Sequence, residues 1–150
     1  MVDRPSVGVR AASVNDRRTV WDWRNNFVCQ DLYKPNGNVT FDQFAIWYDR
    51  ALKSTRQTLL VGHVHSLRMA LVWCQEQAGN EWAIDVFLKP GFCGKGVLSN
   101  VLAEVAVYLR NKHNAALLKA CIPHINPAAA YAFEQCGFEC QTIGRTVNCV

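Results

Sequence analysis

The stretch from residue 82 to residue 109 brings a strand, a glycine-rich loop and a helix into immediate succession, and this order limits the folds open to the chain. Apolar side chains at every second position predict a strand over Trp82–Leu88. The loop Lys89–Gly96 reads Lys-Pro-Gly-Phe-Cys-Gly-Lys-Gly. A helix is predicted from Val97, because apolar residues recur there at helical spacing over about four turns. These residues are Val97, Leu98, Val101, Leu102, Val105, Tyr108 and Leu109.

A helix that begins directly after such a loop presents unpaired backbone N–H groups at the positive end of its dipole. Gly94 and Gly96 allow the backbone to approach a phosphate with no side chain in between. The loop is not a Walker loop, because no Gly-Lys-Ser/Thr closes it, and it lacks the GxGxxG of a dinucleotide fold. The residues alone therefore leave two interpretations open, a structural turn and a phosphate-binding loop.

The rest of the chain alternates between strand-like and helix-like segments without a repeat or a linker. Strands are predicted over Val7–Ala11, Thr58–Val64, Leu67–Cys74 and Ala115–Ile122, with a terminal hairpin over Phe138–Thr142 and Arg145–Val150. Helices are predicted after the capping residues Ser13, Thr40 and Asn126. Because 150 residues fit one sizeable core, we predict a single domain over residues 1–150.

The composition excludes several classes of protein. Half of the residues are hydrophobic and 19% are charged, which favours a packed globule over a disordered chain. The net charge of +4 is spread along the sequence without a basic block or a recognition motif, so nucleic acid is not an expected partner. The apolar runs are too short to cross a bilayer, so no membrane is expected either. The first residues lack the apolar run of a secretory signal, which predicts a cytoplasmic location.

The seven cysteines contain no CxxC pair, which argues against a zinc ribbon or a redox motif. Buried reduced thiols explain most of them. A metal site built from Cys121, His124, Cys136 or Cys140 would lack the paired spacing of structural zinc sites. His63 and His65 indicate a surface turn, because two histidines alone bind a metal weakly. No metal is therefore expected.

Three segments resemble the GNAT (Gcn5-related) N-acetyltransferase superfamily. Leu88–Val97 is similar to the loop V-x-P-x-x-R-G-K-G-x-G, which in that family holds the pyrophosphate of acetyl-CoA. Asn126–Phe138 is similar to the family's second signature, N-x-x-A-x-x-x-[YF]-E-x-x-G-F. Asp22–Asn26 resembles the W-R-N segment of one branch, which includes amino-sugar and ribosomal-protein N-terminal acetyltransferases.

The resemblance extends over nearly the whole chain and implies the GNAT fold, an α/β (α+β) architecture. That fold has a mixed, mostly antiparallel central sheet with two splayed parallel strands and about four flanking helices. The splayed strands would be Trp82–Leu88 and Ala115–Ile122, with acetyl-CoA as the co-substrate between them. The acetyl group would pass directly to a primary amine, without a nucleophilic cysteine.

The family pattern also implies which residues bind the cofactor. They are Phe87 and Leu88 through the strand backbone, Cys93, Gly94, Lys95, Gly96, Val97, Leu98 and Ser99 in the loop and helix, and Asn126 and Phe133 in the second signature.

Two residues in this set depart from the family pattern. Cys93 stands where the family has arginine, which removes a charge-assisted contact worth about 1–3 kcal/mol. Leu98 stands where the family has a small residue. If Leu98 turns into the core, the backbone donors of the loop remain available, and this is the expectation.

Asp85 is the candidate general base, since it is the only carboxylate inside the strand Trp82–Leu88. The alternative is a solvated acid on an open sheet face. Glu81 is a weaker candidate at the start of the strand. In many members of the family a tyrosine acts as the general acid, and Phe133 occupies the equivalent position here. Because phenylalanine has no hydroxyl, the general acid is not identified.

On the acceptor side, Trp23, Arg24 and Asn25 are the candidate substrate-binding residues. The alternative makes the tryptophan part of the core and pairs Arg24 with a nearby acid. The W-R-N resemblance favours an amino sugar over a protein N-terminus as the acceptor. A GNAT-fold binding module without turnover, recognising a protein or a nucleic acid, is the alternative function. A homodimer is compatible with the fold.

Overall fold

A computed structural model describes residues 7–25, 39–89, 97–123, 133–134, 138, 140–143 and 146–149. The described strands are β1 Val7–Ala11, β2 Gln57–Val64, β3 Leu67–Glu76, β4 Glu81–Leu88, β5 Leu117–Pro123, β6 Cys140–Ile143 and β7 Thr146–Cys149. The described α-helices are α1 Arg17–Asn25, α2 Phe41–Lys53 and α3 Val97–His113. The start of the helix predicted after Asn126 lies outside the described residues. None of the described helices has the length and apolar character needed to traverse a bilayer.

The strands form one sheet in the order β1-β2-β3-β4-β5-β7-β6. Neighbouring strands from β1 to β4 are antiparallel, as are β5, β7 and β6. Among the described strands, β4 and β5 are the only parallel neighbours. The predicted mixed, mostly antiparallel sheet is confirmed, and so is the hairpin at the end of the described chain.

Both predicted capping boxes are present. Ser13 caps a 3-10 turn over Val14–Asp16, which leads directly into α1. At the start of α2, the backbone N–H of Gln43 donates to the Thr40 hydroxyl at 3.2 Å, and the Gln43 side chain accepts from the Thr40 N–H at 3.1 Å. These bonds satisfy N–H groups that the helices leave unpaired at their first turns.

The strand β5 begins at Leu117, two residues later than predicted. Asn114 adopts a left-handed conformation with φ 55°, and the backbone N–H of Ala115 donates to Leu109 at 3.2 Å. Both features end α3 in the manner of a helix C-terminal cap. The N–H of Ala116 then donates to Asn80 at 2.9 Å, so the sheet pairing begins only afterwards.

Apolar layers cover the two faces of the sheet. One layer packs α3 against the sheet, and its buried members include Trp82, Ile84 and Leu88 of β4. The other layer packs α1 and α2 against the opposite face, and it includes Phe87. The predicted alternation of the β4 side chains between the two faces is therefore confirmed. On the second face, Phe87 is also buried, by the layer that contains α1 and α2. Asp85 is a polar residue on that same face.

Asp16 is a buried charge, with 1% of its surface exposed. Arg10 donates two hydrogen bonds to its carboxylate, at 3.0 and 2.9 Å, and Nε of Arg68 donates a third at 2.7 Å. The backbone N–H of Ser13 adds a fourth at 2.8 Å. Burial acts to raise the pKa of Asp16, but these hydrogen bonds outweigh it and hold the pKa well below its usual range. The carboxylate thereby joins β1, β3 and the start of α1.

Replacing Asp16 with asparagine is expected to lower the free energy of unfolding at neutral pH by about 2–3 kcal/mol, because both arginines lose a charged acceptor. The measurement is urea unfolding. Asp49→Asn is the matched control. Asp49 also binds an arginine, Arg17, at 3.0 and 2.8 Å, but its side chain is 42% exposed. Its loss is expected to cost less than about 1 kcal/mol.

Because the pKa of Asp16 is lowered in the folded protein, its contribution is present above the unfolded pKa of about 3.9. The contribution disappears as the pH falls from there towards the folded pKa. The difference in the free energy of unfolding between wild type and Asp16→Asn must therefore decrease at acidic pH. Equal destabilisation by the Asp16 and Asp49 variants would contradict the role assigned to this cluster.

Candidate functional site

The parallel pairing of β4 with β5 is short. Only three residue pairs join the strands, Glu81 with Leu117, Trp82 with Leu118 and Ala83 with Lys119. From Ala120 to Pro123, β5 pairs with β7 on its other side and no longer with β4. The two parallel strands therefore separate after Ala83, and the splay that the family resemblance implies is confirmed.

An ion pair joins β4 and β5 at the end where the two strands are still paired. Nζ of Lys119 lies 2.6 Å from a carboxylate oxygen of Glu81, across the parallel ladder. Lys119 is also the last β5 residue that pairs with β4. Glu81 thus has a cationic partner at the point where the strands meet, which leaves Asp85 as the better candidate base.

The helix α3 begins at Val97. The loop residues Cys93, Gly94, Lys95 and Gly96 lie outside the described residues, as does Asn126. Leu98, in the first turn of α3, is half-buried and packs against the apolar layer beneath the helix. Its side chain turns into the core, as the sequence predicts, so it does not cover the helix N-terminus. Ser99 occupies the same turn and is half-buried.

A glycine in β2 sets how closely α3 approaches the sheet. A Cβ on Gly62 would lie 3.2 Å from a methyl carbon of Val101 on α3, which is tighter than most real Cβ contacts. The absence of a side chain at Gly62 therefore allows the helix to lie against β2.

Asp85 lies on the face of β4 that carries α1 and α2, two residues before the buried Phe87. Its direct partner on β3 is Trp73. Its side chain is half-buried, and no residue in the described part of the chain is seen to hydrogen-bond or ion-pair with it. Burial raises the pKa of the Asp85 carboxyl above its ordinary value. A partly desolvated carboxylate at the edge of an opening has the character expected of a general base.

The predicted acceptor-side residues lie at the end of α1. Trp23 is 5% exposed and belongs to the apolar layer beneath α1 and α2. Asn25 donates to the carbonyl of Val39 at 2.8 Å and accepts from its N–H at 3.2 Å, while Arg24 donates to Asn25 at 3.3 Å. These contacts tie α1 to the residue before the α2 cap. Substrate binding by Trp23, Arg24 and Asn25 stays a prediction.

Phe133 is 4% exposed and belongs to the apolar layer beneath α3. Its ring meets that of Phe138 edge to face, with centroids 5.0 Å apart. The described part of the chain contains no group of three histidine, cysteine or acidic side chains that could hold a metal. His63 faces the carbonyl of His65 at 2.9 Å, within the predicted turn.

Two residues of the site region were not predicted from the sequence. Trp73 looks like any apolar residue of a strand, and only the β3–β4 register shows that it faces Asp85. Lys119 looks like an exposed strand residue until the parallel register brings it to Glu81. The sequence contains no signal for either pairing, because register depends on how distant strands align.

No family profile and no characterised protein matches the chain by sequence. Solved structures do match it. A spermidine N-acetyltransferase from Vibrio cholerae, in complex with CoA and spermine, has a TM-score of 0.83 at 17% identity, over 97% of this chain and 95% of that one. An aminoglycoside acetyltransferase in complex with coenzyme A and kanamycin has a TM-score of 0.81 at 16% identity, over 95% and 94% of the two chains. A domain from Methanocaldococcus jannaschii has a TM-score of 0.77 at 16% identity, over 96% of each chain. The chain therefore has the GNAT fold, and the predicted resemblance is confirmed at the level of the fold.

Removing the charge of Asp85 is expected to stabilise the protein. Because its folded pKa is raised, the folded state becomes less stable as the pH rises from about 3.9 through the raised value. Asp85→Asn should therefore unfold at a higher temperature than wild type at neutral pH. Glu81→Gln is the control, because it removes the partner of Lys119 and should not raise the melting temperature. A lower melting temperature for Asp85→Asn would show that the carboxylate supports the fold.

Proposed function

We propose that the protein is an acetyl-CoA-dependent N-acetyltransferase that transfers an acetyl group directly to a primary amine. The separation of β4 and β5 after Ala83 and Lys119 carries this proposal. An extended ligand that enters such a gap meets backbone groups of a strand edge, and it pairs with them as an additional strand would. The pantetheine arm of acetyl-CoA is an extended chain with two amides, which suits this edge.

The surrounding elements agree with this placement. The backbone near Phe87 and Leu88 would receive the amides of the arm, and an N–H there would polarise the thioester carbonyl. The start of α3, at Val97, Leu98 and Ser99, would meet the pyrophosphate through the helix dipole and the first N–H groups. Leu98 does not obstruct this approach, because it packs inward. The neighbouring structures described above contain CoA, which supports the same assignment.

The reaction has simple stoichiometry. An acceptor arrives as an ammonium ion, and the Asp85 carboxylate accepts one proton, directly or through water. The neutral nitrogen attacks the thioester carbonyl, so that a C–N bond forms and the C–S bond breaks. The nitrogen loses its second proton, and one proton goes to the departing thiolate. The products are the N-acetyl amine, CoA and one released proton.

The acceptor is proposed at the level of a primary amine. The structural neighbours are named for spermidine and for aminoglycosides, which are both amines. The W-R-N resemblance favours an amino sugar over a protein N-terminus, and the proposed acceptor side lies at Trp23, Arg24 and Asn25.

The replacement Asp85→Asn is expected to lower kcat/KM for an amine by about 10²–10⁴-fold, because the base is lost while the shape is kept. The affinity for acetyl-CoA, measured by calorimetry, should not change. In wild type, kcat/KM should rise with pH through the raised pKa of Asp85, since only the carboxylate form accepts a proton. The rate is measured by detecting the released CoA with a thiol reagent.

The matched control is Glu81→Gln, which changes a carboxylate on the same face of the same strand but one already paired with Lys119. Its kcat/KM should stay within about threefold of wild type, as for a surface ion pair. Acetyl-CoA binding without any turnover would favour the alternative function, a binding module with this fold. No binding at millimolar acetyl-CoA would contradict the assignment of the opening.

A further inference from the structure

We propose that Trp73 forms a wall of the acceptor site, and that the acceptor is a cationic amine whose carbon skeleton lies against the indole ring. This inference rests on the proposed function and names the class of its amine. Trp73 belongs to β3 and is not part of any motif in the sequence.

The register places this ring beside the candidate base. Trp73 and Asp85 are direct partners across the antiparallel pair β3–β4, so both side chains leave the same face of the sheet. Directly opposed residues have Cβ atoms about 4.5–5.5 Å apart. The neighbouring pair on that face, Leu71 with Phe87, is fully buried beneath the helices. Trp73 and Asp85 are both only half-buried, so the layer of α1 and α2 no longer fully covers the sheet at this pair.

The Trp73 ring is held in position by polar and aromatic contacts. Its Nε1–H donates to the side-chain oxygen of Gln57 at 2.8 Å. Trp47 of α2 meets the ring edge to face, with centroids 4.9 Å apart and planes at 86°. With its N–H already engaged, the indole offers a ligand an aromatic surface rather than a hydrogen bond. An ordered aromatic surface attracts a cation and also the C–H face of a ring.

The charges near Trp73 favour a ligand with a positive charge. Asp85 contributes a negative charge, while Glu81 and Lys119 neutralise each other at 2.6 Å. On the helices that pack against this face, Arg17 of α1 is paired with Asp49 of α2. Asp85 and Trp73 therefore offer a cationic amine a carboxylate and an aromatic ring, while Arg24, the cation on the proposed acceptor side, donates to Asn25 at 3.3 Å. A phosphorylated or nucleotide-linked amine would bring its anionic groups towards Asp85.

Two variants separate the aromatic surface from simple filling of space. Trp73→Phe keeps an aromatic face, whereas Trp73→Leu keeps only apolar volume. Trp82→Phe is the matched control, because Trp82 is a tryptophan on β4 that faces α3 on the other side of the sheet. The two cationic probes are cyclohexylmethylamine and glucosamine. Glucosamine 6-phosphate is the third probe, because it is glucosamine with an added anionic phosphate. Transfer is followed by CoA release, and binding to the protein–CoA complex is followed by calorimetry.

We expect wild type to prefer glucosamine over glucosamine 6-phosphate by at least about tenfold in kcat/KM. Trp73→Leu should lose about tenfold for both cationic probes, with acetyl-CoA affinity unchanged, and Trp73→Phe should recover most of that loss. Trp82→Phe should leave the preference unchanged, whatever it does to the melting temperature. A preference for the phosphorylated probe, or equal losses for Trp73→Leu and Trp73→Phe, would overturn the proposal.

The transferase activity and the aromatic wall at Trp73 can fail independently. If no probe releases CoA, the proposed transferase activity is contradicted, and the acceptor site is then judged by calorimetry alone. Cation binding that Trp73→Leu weakens would still support the aromatic wall. If neither cation binds the CoA complex at millimolar concentration, the wall is overturned, even where acetyl-CoA itself binds well.

Discussion

The architecture depends on the point at which β5 stops pairing with β4. The two strands pair up to Ala83 and Lys119, whereas β5 pairs with β7 on its other side from Ala120 onward. The strand β7 engages the backbone groups of β5 that point away from β4, and the hairpin β6–β7 extends the sheet on that side. Beyond Lys119, the backbone groups of β5 that point towards β4 are not paired with it. The opening is therefore bordered by strand-edge backbone groups, which suit pairing with an extended ligand.

Two charged contacts join separate elements of the fold, and they differ in strength. The Asp16 cluster is buried and joins β1, β3 and the start of α1 through hydrogen bonds from Arg10, Arg68 and Ser13. The contact between Glu81 and Lys119 is partly exposed and contributes little energy, but it lies where the parallel strands part. Asp85 stands apart from both, as a half-buried carboxylate with a raised pKa. Its desolvation costs stability, and such a cost is common at sites of chemistry.

Local sequence predicted much of the fold and less of the site. The capping boxes at Ser13 and Thr40 and the apolar face of α3 follow from spacing, because these interactions join residues close in sequence. The splay itself was predicted only through a family resemblance. The partners of Asp85 and Glu81, which are Trp73 and Lys119, required the register of distant strands. The two arginine partners of Asp16 come from β1 and β3, so its own stretch of sequence does not predict them.

The central claim is that acetyl-CoA lies in the gap between β4 and β5, and amide hydrogen exchange tests it most directly. Saturating acetyl-CoA should slow exchange in residues 84–88 and at the start of α3, because the ligand would cover that strand edge and the helix N-terminus. Exchange in Gln57–Val64, which lies between β1 and β3, should not change. Binding of acetyl-CoA without added protection in residues 84–88 would contradict the account, and so would protection confined to the other edge of the sheet.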